Sequence, residues 1–129
     1  MPYGTVQLDT LQSSAVNTPV TFTDANGTQV GTLCRAWVRY NGSAQTITAS
    51  FNVSSVTYNG TGDYTVNFTN ALSDANYSFV TGNAVSGGPY ITGLNTTTLP
   101  TSSLIRLYST QTSNGAAVNT AYITLAIFR

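Results

Sequence analysis

The feature that most constrains the fold is a hairpin pattern in residues 51–69. Hydrophobic and polar residues alternate in residues 51–53 and again in residues 64–69, which is the period of a strand with one buried face. Asn59-Gly60 lies between the two runs, and both residue types tolerate the positive φ angles that a strand-matched turn requires. The pattern therefore predicts two antiparallel strands joined by a tight turn that begins at Asn59-Gly60 and ends at Asp63.

One irregularity interrupts the first of these strands. Ser54-Ser55 separates Val53 from Val56, so the hydrophobic alternation shifts by one residue. A shift by one residue would turn every later side chain to the other face, and a β-bulge corrects that error. We therefore predict a bulge at Ser54-Ser55, followed after the hairpin by a second turn at residues 73–76.

Similar alternating runs recur along the chain and predict an all-β fold. About eight or nine strands follow one another at spacings of roughly 8–14 residues, and no segment has a helical period. The chain has neither Lys nor Glu, the usual surface residues of helices, and is rich in strand-forming residues. We expect a single antiparallel, jelly-roll-like β-sandwich over residues 18–129. Residues 1–17 form either an N-terminal arm or a first edge strand.

Several runs within residues 31–77 resemble a module of virion structural proteins from tailed bacteriophages, cyanophages in particular. These runs are residues 34–38 (CRAWV), 49–55 (ASFNVSS), 60–69 (GTGDYTVNFT) and 74–77 (DANY), and together they are far more specific than any one alone. Residues 4–12 are similar to the short leaders of such proteins. The resemblance ends at Tyr77, and in that family the distal part varies.

The resemblance implies a non-enzymatic structural protein at the surface of a phage particle. The expected role is the knob of a tail fibre or other surface appendage, working as a homotrimer, with other virion proteins and a host-surface glycan as further partners. A capsid decoration protein of the cement or head-fibre type, docked by its arm, is the alternative within the virion. A carbohydrate-binding module with Trp37 and the Tyr90 segment as its stacking platform is the alternative from another class.

The residue content argues against most catalytic and cofactor chemistry. There is no His, no Glu and a single Cys, so a nucleophile with a His base and a zinc cluster are not expected. We expect no enzyme activity, no cofactor and no metal. Four arginines balance four aspartates without clustering, which argues against binding nucleic acid. No apolar run is long enough to insert into a membrane.

Two segments are candidates for recognition. Arg35, Trp37 and Arg39 share one face of a predicted strand, where the arginines could stack on the indole ring as a binding strip for sugar or a partner. The same pattern also suits a sheet face on which arginine stems cover the tryptophan. The second candidate is a loop-rich segment, residues 90–101, which could equally be an ordinary connection. Its recognition candidates are Tyr90, Asn95, Thr96 and Thr97.

Contacts with other chains are predicted at both ends of the sequence. The last strand is apolar on two faces, so we expect one face in the core and the other against a neighbouring subunit. The expected core set is Ile123, Leu125 and Ile127, and the expected oligomer contact set is Tyr122, Ala126 and Phe128; the alternation also allows the reverse assignment of the two faces. In the N-terminal arm, the candidates for docking on another virion protein are Val6, Leu8 and Leu11.

Overall fold

The structure is a computed structural model that describes residues 8, 10–12, 20, 22–84 and 89–129. These residues form ten strands and no helix, so none of them belongs to a helix that could cross a membrane. All strand pairs are antiparallel, which confirms the predicted all-β class. The strands are β1 (Phe22–Thr23), β2 (Gln29–Gly31), β3 (Cys34–Asn41), β4 (Thr46–Phe51), β5 (Val53–Gly60), β6 (Asp63–Phe68), β7 (Ser78–Ala84), β8 (Tyr90–Leu94), β9 (Leu104–Gln111) and β10 (Tyr122–Phe128).

The chain divides into two compact units, and the first ends at Leu33. In this unit β1 and β2 form their own two-stranded sheet. The Asp24 carboxylate accepts hydrogen bonds of 2.9 Å from the amides of Asn26 and Thr28, and Gly27 has a φ of 79°. Among the described strands this hairpin pairs with no other, and the sandwich unit begins at Cys34, later than the expected residue 18.

The expected arm belongs to the first unit. Val6 lies outside the described residues, whereas Leu8 and Leu11 are described and exposed. Docking of these side chains on another virion protein stays a prediction.

The second unit, Cys34–Arg129, is a sandwich of two four-stranded sheets. One sheet has the order β4-β3-β10-β7 and is called the Trp37 sheet below; the other has the order β5-β6-β9-β8 and is called the Tyr108 sheet. Eight strands in two sheets is the strand count of a jelly roll. The sequential pairs β3–β4, β5–β6 and β8–β9 each stay within one sheet, so they are hairpins and do not cross between the two sheets.

The core lies between the two sheets and follows from the alternation of their central strands. Ile123, Leu125 and Ile127 are at most 2% exposed, as the sequence predicted for this face of β10. The rings of Tyr40 and Tyr64, one from each sheet, meet edge to face at 5.4 Å. The buried hydrophobic residues form one cluster: Ala36, Val38, Tyr40, Tyr64, Val66, Phe68, Leu72, Ile105, Leu107, Ile123, Leu125 and Ile127.

The β5–β6 hairpin confirms the predicted bulge. Its turn begins at Thr61, two residues after the predicted start at Asn59. The register of the two strands shifts between Val53 and Ser55, where the alternation was interrupted. Gly60 pairs with Asp63, so the loop residues are Thr61 and Gly62 and not Asn59-Gly60. Gly62 has a φ of 71° and supplies the left-handed conformation that the turn needs.

Candidate functional surfaces

The outer face of the Trp37 sheet carries an apolar row that crosses all four strands. In the strand register Phe51 lies opposite Trp37, Trp37 opposite Ala126, and Ala126 opposite Val80. Phe51, Trp37 and Val80 are 55%, 39% and 62% exposed. Large apolar side chains that line up in this way on a monomer surface indicate a contact with another molecule.

The next row of this face adds one cation and a groove. The guanidinium carbon of Arg39 lies 4.9 Å from the centre of the Tyr122 ring, a cation–π arrangement between diagonal neighbours on adjacent strands. The ring that Arg39 covers is therefore that of Tyr122. Gly82 has no side chain, and a Cβ there would come within 2.8 Å of the Thr124 hydroxyl. A shallow groove of about 520 Å³ runs over Gly82 between Trp37 and Val80.

Two sets of residues that the sequence treated separately share this face. Trp37 and Arg39 were candidates for recognition, and Tyr122 and Ala126 were candidates for an oligomer contact. Both sets are outward-facing on β3 and β10, which pair directly. We call this surface the Trp37 face, and its members are Phe51, Trp37, Arg39, Val80, Tyr122 and Ala126.

The remaining members of those sets lie towards one end of the same sheet. Arg35 and Phe128 are both half-buried and are nearest the position where β3 and β10 change register, with Phe128 opposite Cys34. Phe128 also lies opposite Ser78 of β7. The structure therefore groups Arg35 and Phe128 with the Trp37 sheet but at its margin.

The outer face of the Tyr108 sheet is mostly polar, although it also carries the exposed Tyr108 and Ile91. The Asn67 amide donates to the hydroxyls of Ser55 and Thr57 at 3.1 and 3.2 Å, and the Asn59 amide donates to Thr65 at 2.9 Å. Side-chain hydrogen bonds of this kind link neighbouring strands on a face that water wets. The described part of this face is thus more polar than the Trp37 face.

An ion pair crosses from β6 to β9 on this polar face. Arg106 donates to Asp63 through two nitrogens, with Nε to Oδ1 at 2.8 Å and Nη2 to Oδ2 at 2.7 Å. Oδ1 also accepts from the Asn59 amide and Oδ2 from the Asn95 amide. The hydrogen bond from Arg106 holds the pKa of Asp63 below its usual value. Each oxygen has two donors, so this carboxylate is a structural acceptor and is poorly suited to act as a general acid.

Beside this ion pair lies a second groove, of about 400 Å³. It is lined by Asp63, Leu94, Asn95, Thr96, Thr97 and Tyr108. Three of the four recognition candidates in residues 90–101 therefore meet at one site. Sequence reasoning missed Tyr108. Successive residues in a strand point to opposite faces, so a buried Leu107 would have placed Tyr108 on the outer face.

Tyr90 does not belong to this groove. Residues 90–94 are strand β8 and not a loop, because their backbone pairs with β9 from Tyr90–Gln111 to Leu94–Leu107. Tyr90 has the same phase as the buried Thr92, so it is directed to the inner side of the sheet. Trp37 and Tyr90 are on different sheets and do not form the single stacking platform expected for a carbohydrate-binding module.

The other described aspartates have local structural roles. Asp24 accepts the backbone bonds of the β1–β2 turn. Asp74 accepts from the Asn76 amide and pairs with Arg129, and the hydrogen bond from Arg129 lowers the pKa of Asp74. Within the part of the chain that the structure describes, no group of three or more His, Cys, Asp or Glu residues could hold a metal ion.

Comparison with known proteins gives no match. No protein-family model matches the chain, and no curated protein or solved structure is significantly similar to it. Support for a function therefore comes from the sequence motifs and from the two outer faces of the sandwich.

Proposed function

We propose that this chain is a non-enzymatic structural subunit of a bacteriophage virion. In this role it forms the knob of a tail fibre or other surface appendage as a homotrimer and presents a host-facing surface. The observation that carries the proposal is the apolar row of the Trp37 face, which crosses four strands, whereas the face of the Tyr108 sheet is mostly polar and hydrogen-bonded. The phage-like motifs in residues 31–77 support the virion setting and the three-fold symmetry.

Burial of the Trp37 face supplies the energy for assembly. Phe51, Trp37 and Val80 would each contribute about 2 kcal/mol when covered, since burial of a large apolar side chain stabilises by about 1.5–3 kcal/mol. Only 6% of the residues are charged and the net charge is zero, so subunits repel one another little. The one cation in the rows described above, Arg39, already lies over Tyr122 and can retain that ring as a partner in the contact.

The test of assembly compares two exposed aliphatic residues on opposite sheets. Val80 on β7 is 62% exposed and Ile91 on β8 is 58% exposed, and both strands are sheet edges. A charge at either position stays in water in a monomer, but at Val80 it would be buried in the proposed contact at a high cost. We expect wild type and Ile91→Asp to sediment as trimers at micromolar concentration and Val80→Asp to sediment as a folded monomer.

Two results would contradict the proposal in different ways. A folded wild-type monomer would remove the oligomer and with it the case for a fibre knob. If Val80→Asp stays trimeric and Ile91→Asp is monomeric, the contact lies on the Tyr108 sheet and not on the Trp37 sheet. Mass spectrometry of purified particles tests the virion setting directly, because the chain must occur there as a stoichiometric component.

A capsid decoration protein is the second candidate, and one observation favours it. The first unit, which ends at Leu33, is a compact unit of its own and includes the exposed Leu8 and Leu11. Such a unit suits attachment to a shell by an N-terminal arm. The copy number in the particle separates the two roles, since a decoration protein is present at numbers comparable to the capsid protein and a fibre knob at far lower numbers.

A further inference from the structure

We infer that the groove on the Tyr108 sheet binds a neutral oligosaccharide, with Tyr108, Asn95, Thr96 and Thr97 as the contacting residues. This inference deepens the host-recognition part of the proposed function and rests on it for its biological setting. The groove and the Trp37 face lie on different sheets, so ligand binding and assembly can be tested separately.

Tyr108 supplies the apolar platform of the groove. It is 38% exposed and lies opposite Gly93 on β8 and Asp63 on β6 in one cross-strand row. Gly93 has no side chain, and a Cβ there would meet no atom within 4 Å, so the space beside the tyrosine is open. An exposed tyrosine ring with a polar tip can pack against the C–H face of a sugar ring and hydrogen-bond to a hydroxyl at its edge.

The polar side of the groove is a turn that is held at several points. Asn95 Oδ1 accepts from the Thr97 amide at 2.9 Å, and the Asn95 backbone amide donates to the Arg106 carbonyl at 2.9 Å. Arg106 Nη1 donates to the Thr98 hydroxyl at 3.0 Å. Because these bonds fix the turn before any ligand arrives, little ordering cost opposes binding.

The charge of the groove selects the class of ligand. Asp63 is the one acid in the lining, and both of its oxygens already accept bonds from Arg106. The pair is neutral as a whole, and Asp63 acts as a positioning residue that fixes Asn95 through the 3.3 Å bond from the Asn95 amide. The groups left to face a ligand are hydroxyls, an amide and an aromatic ring, which suit the uncharged hydroxyl groups of a neutral sugar and favour neither an anion nor a cation.

The experiment titrates the full chain with soluble, monovalent probes. The probes are di- to tetrasaccharides of glucose, galactose, mannose and rhamnose. Calorimetry measures the affinity of each probe, and changes in amide chemical shifts show which residues it contacts. We expect at least one probe to bind and to shift the amides of Asn95, Thr96 and Thr97. Monovalent probes report the affinity of one groove, so the measurement does not depend on the oligomeric state.

Three variants test the assignment. Tyr108→Ala should weaken binding about tenfold, since loss of a stacked aromatic ring costs about 1–1.5 kcal/mol. Tyr108→Phe should weaken it by no more than about threefold, because the ring remains. Tyr122→Ala is the matched control: Tyr122 is 46% exposed but lies on the Trp37 face, so this variant should bind as wild type does.

Several outcomes would overturn the inference. These are no binding by any probe, or equal losses from Tyr108→Ala and Tyr122→Ala in folded protein. A trimer that binds no sugar would refute the groove and leave the assembly proposal standing. A monomer that binds sugar through Tyr108 would refute the fibre knob and leave the groove standing.

Discussion

Replacement of Gly62 by alanine is expected to destabilise the sandwich more than its backbone angle alone explains. Gly62 donates its amide to Asn119 Oδ1 at 2.8 Å, and its carbonyl accepts from the Ser109 amide at 2.7 Å. A Cβ at this position would fall well inside van der Waals distance of the Ser109 carbonyl oxygen and 2.9 Å from the Val118 amide nitrogen. Both neighbours are backbone atoms, so neither can rotate away.

Gly115 is a matched control for the backbone term. Its φ is 70°, against 71° for Gly62, but a Cβ at Gly115 would meet nothing within 4 Å. A left-handed alanine costs about 1–2 kcal/mol, and alanine recovers about 0.4–1 kcal/mol by restricting the unfolded chain. Gly115→Ala should therefore lose about 0–1.5 kcal/mol. Gly62→Ala carries in addition an overpacking cost of about 1–3 kcal/mol, for a total of about 1–4.5 kcal/mol.

Urea unfolding at one fixed protein concentration measures both variants against wild type, because the stability of an oligomer depends on concentration. In thermal unfolding the expected difference corresponds to a Tm about 5–10 °C lower for Gly62→Ala than for Gly115→Ala. Equal losses would refute the reasoning, since they would show that Gly62 is not packed against the backbone of β9 and its following loop.

Two further predictions concern pH. The pKa of Asp63 is lowered in the folded chain, mainly by the hydrogen bond from Arg106, so its stabilisation is present above the usual value of 3.8 and is lost as pH falls below it. Asp63→Asn should therefore cost about 1.5–3 kcal/mol in urea at neutral pH and much less at about pH 2; an equal cost at both pH values would contradict the ion pair. Burial raises the pKa of Tyr64 and Tyr77 to about 12, so the unfolded chain ionises first and stability should fall as pH rises above 10. Absorbance titration should show a group of late-ionising tyrosines that includes Tyr64 and Tyr77, and Tyr77→Phe should reduce that group by one.

The alternation of side chains was enough to divide β10 into two faces and to favour the one that is buried. Ile123, Leu125 and Ile127 were assigned to the core because residues two apart in a strand share a face, and this period is fixed by backbone geometry. The bulge between Val53 and Ser55 followed from the same rule, since only an extra residue reconciles the two phases.

Local turn chemistry was a weaker guide, because pairing with distant strands decides where a strand ends. The register of β5 shifts again between Tyr58 and Gly60, which carries the ladder past Asn59-Gly60 to the loop at Thr61 and Gly62. Asn59 instead uses its amide on Asp63 and Thr65. Likewise Gly93 suggested a loop, but pairing with β9 keeps residues 90–94 extended.

Neither outer surface could be assembled from sequence alone, because each depends on register between strands that are far apart in the chain. Tyr108 faces outward by its phase, but its neighbours Asp63 and Gly93 follow only from the pairing of β9 with β6 and β8. The row from Phe51 to Val80 likewise draws one residue from each of four strands. A period predicts a face, and only the register predicts what lies beside a residue on that face.

The low charge of the chain and the apolar row of the Trp37 face both favour association of subunits. Soluble monomers protect flat sheet edges with charges, lysine above all, and this chain has no lysine and only four arginines. The edge strands of the Trp37 sheet, β4 and β7, carry the exposed Phe51 and Val80 instead. An open, head-to-tail contact through such a face would continue into a filament, whereas a closed ring satisfies every copy of the face at once. The lack of charge is therefore tolerable in a chain whose subunits form a closed oligomer, such as the homotrimer proposed above.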